Sequence, residues 1–431
     1  MSFTRTIIVL DDDPTGTQTV HHIPVLTGWS DREIQEEYER GTALFFILTN
    51  SRAFSLSEAK KINYDIGRVI ANLPGPTWII SRGDSTLRGH FPGETDALSE
   101  GLGWGTDFLY VLIPAFFEGK RFTHQDIHYL IEGGEWVPVG ETPYARDLSF
   151  GFKSSNLRDW VMEKSQGSIG PDQIHSLRVE DLEAMNLEEI RERILETPAL
   201  LIVNALGPKH LDRFVEAAEG CDRRIIFRTA ASFVASAGHI SQQELLTSKD
   251  LKAEIKGNGG GLVVVGSHVP KTNAQLKVLL KTDIIGVEFE VIKYFNHPHT
   301  YLTDIVHKVE KHLKSGMHVV LYTSRTVLAG SDEQDSLHVS TKISEGLVAV
   351  VANLATHPSF LIAKGGITSS DIATKALSIK RALVLGQLLP GVPVWEADAT
   401  SRFPGLQYVI FPGNVGEEDS LFQAYQKIRN D

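Results

Sequence analysis

The sequence predicts an α/β protein of two domains, each built on a mainly parallel sheet flanked by helices. Its 431 residues are too many for one ordinary core. Short apolar runs alternate with stretches of helical periodicity in both halves. Near the middle, the charged run Lys249–Lys256 followed by Gly257-Asn258-Gly259-Gly260-Gly261 interrupts that alternation and reads as a solvated, flexible linker. The expected division is residues 1–246, a linker at 247–261, and residues 262–431.

Taken in order, Ile7–Leu10 and Ala43–Leu48 are apolar runs of strand length. Ser57–Asn72 has helical periodicity behind a Ser-x-x-Lys start. Trp78–Ile80 and Phe108–Ile113 are the next strands, and the turn-rich Trp136–Arg146 is expected as loops or a small hairpin. Asn186–Glu196, rich in Glu and Arg, is a helix, and Ala199–Val203 and Arg224–Phe227 are strands. Beyond the break, strands are expected at Leu262–Val265, His318–Tyr322, Phe360–Ala363, Ala382–Leu385 and Tyr408–Phe411, with helices at Glu345–Leu354 and Ser370–Leu377. Continuously apolar strands separated by helices imply sheets covered on both faces, hence parallel ones.

A content of 42% hydrophobic and 22% charged residues is that of an ordinary globular chain. A net charge of -12 argues against nucleic acid or an anionic membrane as a partner, though arginines can still reverse the field inside one cleft. Cys221 is the only cysteine, which excludes an intramolecular disulfide and thiolate zinc sites. Met1–Thr6 lacks a signal-peptide layout and no apolar run is long enough to cross a bilayer, so a cytoplasmic location is expected.

In α/β sheets ligands collect at the carboxyl ends of strands. Asp11–Gly16, Asn50-Ser51-Arg52, Ser81–His90 and Pro114–Lys120 all fall at such ends. Three carboxylates at the mouth of a buried strand, Asp11, Asp12 and Asp13, repel one another unless cations, donors or a polar ligand share the space. Arg52, Arg82 and Arg88 supply planar cations suited to a carboxylate. Asp12, Asp13 and Asp84 supply acceptors for hydroxyl groups or a magnesium shell. A small polyhydroxy acid satisfies both sets, although the same residues can simply pair with one another. His21, His22, His90, His124 and His128 fit no compact zinc motif and read as surface or hydrogen-bonded core residues.

In the second half, three glycine-bearing turns follow strands: Gly266-Ser267-His268, Lys364-Gly365-Gly366-Ile367-Thr368, and Phe411-Pro412-Gly413-Asn414. Glycine lets backbone amides approach phosphate oxygens, and a helix starting near Thr368 would add its positive end. Val265–Thr272 ends like a P-loop, but Val265 and Pro270 occupy both required glycine positions. The dinucleotide and protein-kinase motifs are missing as well.

Asp12-Asp13-Pro14-Thr15-Gly16 resembles the Asp-Asp-x-Thr-Gly start of the four-carbon acid sugar kinase family, and Asp84-Ser85-Thr86-Leu87-Arg88-Gly89 resembles its Asp-Ser-Thr-x-Arg-Gly loop. Further landmarks are Pro114-Ala115-Phe116, Glu141–Asp147, Phe227–Phe233 and Pro390–Pro393, so the likeness spans nearly the whole chain. The chain departs from the family pattern at Arg82-Gly83, at Ile367 and at Phe411, which marks a divergent member. The resemblance implies ATP-dependent phosphorylation, with Mg2+, of the terminal hydroxyl of a threonate-, erythronate- or 3-oxo-tetronate-type acid. It implies an active site in the cleft between a sugar-acid-binding first domain and a nucleotide-binding second domain.

Asp12, Asp13 and Asp84 are then the candidate catalytic carboxylates, with the base unassigned among them. Arg52, Arg82, Gly83, Ser85 and Arg88 are the candidate substrate contacts. Ser267, Gly365, Gly366, Ile367, Thr368 and Gly413 are those to the nucleotide, and metal ligands are unassigned. The partners expected are a sugar acid and ATP, with a homodimer left open. A metal-dependent phosphatase or aldolase acting on a sugar acid, and a non-catalytic sensor of sugar acid or nucleotide, are the alternative readings.

Overall fold

The computed structural model describes residues 5–252, 257–325, 333–413 and 415–429. It separates into two units, Met1–Gln242 and Gln243–Asp431.

In the first unit, β1 (Thr6–Asp11), β2 (Ile23–Leu26), β3 (Leu44–Leu48), β4 (Thr77–Arg82) and β5 (Leu109–Ile113) are followed by a small sheet of β6 (Arg121–His124), β7 (Ile127–Glu132) and β8 (Glu135–Pro138). Then come β9 (Ile174–Leu177), β10 (Leu200–Val203) and β11 (Ile225–Thr229). The main sheet runs β2-β3-β1-β4-β11-β5-β10-β9, with every pairing parallel. Its register sets Asp11 opposite Leu48 and Arg82, Arg82 opposite Thr229, and Thr229 opposite Ile113. Every loop of the polar cluster therefore leaves the sheet from one row.

Ile8, Leu10, Phe45, Ile47 and Ile79 pack on Ile66, Val69, Ile70 and Leu98, which fixes one covering layer. The helix behind it begins at Leu56, because Ser55 and Glu58 form a reciprocal capping box. That box, and not Ser57, sets its start. Trp136, expected in loops or a hairpin, pairs with Ile131 across β7 and β8, and short 3-10 turns follow at Val139–Glu141 and Pro143–Arg146.

In the second unit, β12 (Leu262–Val265), β13 (Ile285–Phe289), β14 (Val319–Thr323), β15 (Leu361–Lys364), β16 (Arg381–Leu389), β17 (Val392–Ala397) and β18 (Gln407–Phe411) lie in the order β13-β14-β12-β15-β18-β17-β16. The first five strands of that order are parallel, while β17 and β16 turn antiparallel. Val265 and Phe411 both lie in register with Lys364, which aligns the three glycine turns at one edge. Among the described residues, no helix is long and apolar enough to cross a membrane.

The segment expected as a flexible linker is otherwise built. Ser248–Lys252 is helical, Leu246 and Leu251 are in the second unit's core, and the Leu246 amide donates to Gln387 O at 2.7 Å. Residues 253–256 of that expected linker lie outside the described residues. The glycines after them serve close packing: a Cβ at Gly260 would sit 2.0 Å from Met317 O, and one at Gly257 2.1 Å from Pro358 O. A local excess of glycine thus signals a tight approach as readily as mobility.

Candidate functional site

The first unit gathers carboxylates and guanidinium groups at the ends of β1, β4 and β11. Asp11 and Asp12 are buried, and Arg82 Nη1 faces both, at 3.2 and 3.4 Å. Asp13 caps the turn Pro14–Thr19, accepting from Thr15 N at 2.9 Å and Thr15 Oγ1 at 2.5 Å. Arg52, on the turn after β3, binds Asp13 and lies 3.4 Å from Asp84 Oδ1. Arg88 Nε donates to Asp84 Oδ2 at 2.7 Å, Thr86 donates to the same oxygen, and the Arg88 guanidinium covers the Tyr144 ring.

The expected catalytic carboxylates Asp12, Asp13 and Asp84 are therefore brought together with Arg52, Arg82 and Arg88. Gly83 and Ser85 lie in the loop after β4, beside Arg228 and His128 respectively. A Cβ at Gly83 would stand 2.4 Å from Arg228 Nη2, and the Ser85 carbonyl accepts from His128 Nε2 at 2.8 Å. His128 is a core residue, and burial pushes its pKa down to about 4, so the ring is neutral.

These carboxylates differ in what surrounds them. Burial raises Asp11 to about 7 against the pull of Arg82. Burial also raises Asp12, opposed by Arg52, Arg82 and Arg228. Burial acts the same way on Asp13 and Asp84, but there the arginines and hydroxyl donors win and hold both below the ordinary carboxylate value. The Oδ2 atoms of Asp11 and Asp12 are buried without a hydrogen-bond partner among the described residues. Gly16 covers the former, since a Cβ there would lie 2.0 Å away.

A buried acid with a raised pKa destabilises the fold once it must ionise. The folded value of about 7 for Asp11 exceeds its unfolded value of 3.8. Between these values the folded chain holds a proton that the unfolded chain has released, so stability falls as pH rises through that window. Asp11→Asn should leave the melting temperature unchanged near pH 4 and raise it by about 3 °C or more at pH 8. Equal shifts in thermal melts at both pH values would refute this.

Two further residues complete the cluster. Arg228, on β11, donates from Nη1 to Ser81 Oγ at 2.9 Å and to Glu94 Oε2 at 3.1 Å, and Ser51 donates to the other Glu94 oxygen. Both charged partners are buried. Sequence reasoning found neither in the site, because their separation of 134 positions leaves no local pattern. Only the lone arginine inside an apolar strand hinted at a buried partner.

In the second unit, Ser267, Gly365, Gly366, Ile367, Thr368 and Gly413 all line one cavity of about 290 Å³, with Gly266, His268, Ile343, Ser344 and Leu347. Gly365 has φ of 118°, a conformation that favours glycine. The helix Gly366–Asp371 follows, and its first amides lack intrahelical acceptors. A Cβ at Gly266 would meet Thr368 Oγ1 at 2.4 Å, so glycine is required for the turns to converge. Arg325 holds the first turn by donating to Ser267 O at 2.8 Å and Asn273 Oδ1 at 3.0 Å. Asn414, part of the third expected turn, lies outside the described residues.

The first unit thus carries a cluster of carboxylates and guanidinium groups, and the second a cavity rimmed by backbone amides. Residues 7–237 match a sugar-binding N-terminal domain, and residues 262–421 match a nucleotide-binding C-terminal domain. The chain belongs to the four-carbon acid sugar kinase family that these two domains define.

A D-threonate kinase of Bordetella bronchiseptica is 22% identical over 431 residues, covering 98% of this chain and 97% of that enzyme. A D-erythronate kinase of Heliobacterium modesticaldum is 29% identical over 171 residues, a match covering 38% of this chain and only 37% of that enzyme's length. Among solved structures, a Salmonella typhimurium protein described as a putative tRNA synthase superposes with a TM-score of 0.74, and a Haemophilus influenzae protein with 0.69. Each is 17% identical, and each match covers 98% of this chain and 100% of the other, which shows a shared fold.

Proposed function

We propose that this chain is an ATP-dependent kinase that phosphorylates the terminal hydroxyl of a four-carbon acid sugar of the threonate, erythronate or 3-oxo-tetronate type. The observation that carries the proposal is the convergence of all the expected nucleotide contacts on one cavity, within the stretch that matches a nucleotide-binding domain. The first unit supplies the complementary acceptor chemistry, and the names of the two kinases support it.

In this reading the polyphosphate lies against the amides of Gly366 to Thr368, with the base near Ile343, Leu347 and the exposed Ile367. Arg52 and Arg88 anchor the substrate carboxylate, being the arginines of the cluster with exposed surface, 17% and 25% of the side chain. Arg82, buried between Asp11 and Asp12, instead sets their ionisation. Asp12 orients or deprotonates the acceptor hydroxyl, because it combines a raised pKa with an unpartnered oxygen.

Mg2+ needs only one or two carboxylates beside nucleotide phosphates. Among the described residues no group of three or more His, Cys, Asp or Glu is arranged to hold a metal by itself. Asp13 or Asp84, both held ionised, would supply such a carboxylate, and the ion would neutralise phosphate charge.

A coupled ADP-release assay over D-threonate, D-erythronate and 3-oxo-tetronates, with ATP and Mg2+, tests the proposal. ADP release dependent on one of these acids is the expected result. Binding of both ligands without turnover on any acid would overturn it in favour of a sensor.

A further inference from the structure

Lys364 ends β15 immediately before the glycine turn of the nucleotide cavity, and its side chain is fully buried. Nζ donates to the carbonyls of Pro412 at 2.5 Å and Gly413 at 3.3 Å and lies 4.1 Å from the centre of the Phe411 ring. Gly413 itself lines the cavity. No carboxylate pairs with Lys364 among the described residues; the one charge acting on it is that of Lys271, of like sign, from the helix Pro270–Leu279. Burial, with Lys271, brings its pKa down to about 7.

A buried cation held by carbonyls alone is incomplete, since such charges are ordinarily paired. The ammonium has a third donor, and the missing counter-charge is of the kind a polyphosphate carries.

We propose that Lys364 is a positioning residue of the nucleotide cavity: when a polyphosphate enters, its amine takes a proton from solvent and, as ammonium, holds the Pro412–Gly413 loop against the phosphates. The inference rests on the nucleotide-binding reading of the second unit. Besides Lys364, the titratable and charged groups beside this cavity include His268, which lines it, Lys271, Asp371, which accepts from Ser344 Oγ at 2.7 Å, and Arg325, which donates to Ser267 O at 2.8 Å.

Calorimetric titration of the full chain with Mg–ADP at pH 8, in two buffers of different ionisation enthalpy, counts protons taken up on binding. At that pH only about a tenth of a group titrating near 7 is protonated, so wild type should take up roughly 0.5–1 proton per ADP. Lys364→Met should abolish the uptake and weaken ADP about ten- to a hundredfold. Lys364→Arg, charged throughout, should bind without uptake. His268→Asn and Lys271→Met should both retain it. Wild-type protein that binds ADP with no uptake would overturn the inference alone, even if the methionine variant fails to fold. Uptake surviving in Lys364→Arg would overturn it too. Wild-type protein that does not bind ADP would overturn the nucleotide reading itself.

Discussion

Asp12→Asn is expected to lower kcat by about two to four orders of magnitude while changing the KM for the sugar acid only a few-fold. Asparagine keeps the shape of the side chain and an oxygen for Arg82 Nη1, which stands 3.4 Å from Asp12 Oδ1. It removes the lone pair and charge of Oδ2, the oxygen without a hydrogen-bond partner among the described residues. Asp13 and Asp84 are weaker candidates, since Arg52, Thr15, Arg88 and Thr86 occupy their oxygens and stabilise the ionised form. Steady-state kinetics on the acid found by the ADP-release screen checks this. An active Asp12→Asn enzyme beside a dead Asp84→Asn enzyme would move the base to Asp84.

Arg228→Ala should destabilise the first unit by about 3–5 kcal/mol, the cost of leaving a buried charge without its partner. For a unit of this size that is a fall of roughly 6–20 °C in melting temperature. Glu94 would lose the one guanidinium within ion-pair distance of it among the described residues, and the space beneath Gly83 and Gly89 would empty. Replacing both members, Arg228→Met with Glu94→Met, should recover much of the loss, because two apolar side chains leave no stranded charge. A single variant that melts within about 2 °C of wild type would show the pair to be dispensable.

The alternation of apolar runs and amphipathic helices was legible because it is local. A strand buried on both faces must be apolar along its length, and Ile7–Leu10, Phe45–Leu48 and Leu262–Val265 say so residue by residue. Some strands with mixed patterns were not legible, although the alternating β16 was, at Ala382–Leu385. β13 alternates exposed Gly286 and Glu288 with buried Val287 and Phe289, and the antiparallel β17 carries a proline inside it. The Trp136 hairpin strand has too few residues to show a period.

The same division holds for the candidate sites. Glycine turns and clustered aspartates after apolar runs are local signals, and they located both polar regions from the sequence by itself. Which oxygen stays unpartnered, which arginine is consumed by ion pairing and which is left accessible depend on groups far apart in the chain. Arg82 reaches back 71 positions to Asp11, and Lys364 reaches 48 positions forward to Pro412. Burial raises both Asp12 and Asp13, two adjacent carboxylates with the same intrinsic acidity, and it is Arg52 with the hydrogen bonds from Thr15 that brings Asp13 alone back down. Sequence fixes the intrinsic chemistry of a group. Desolvation and charge–charge terms depend on distance through the folded interior, so only the tertiary structure decides the state in which that group is held.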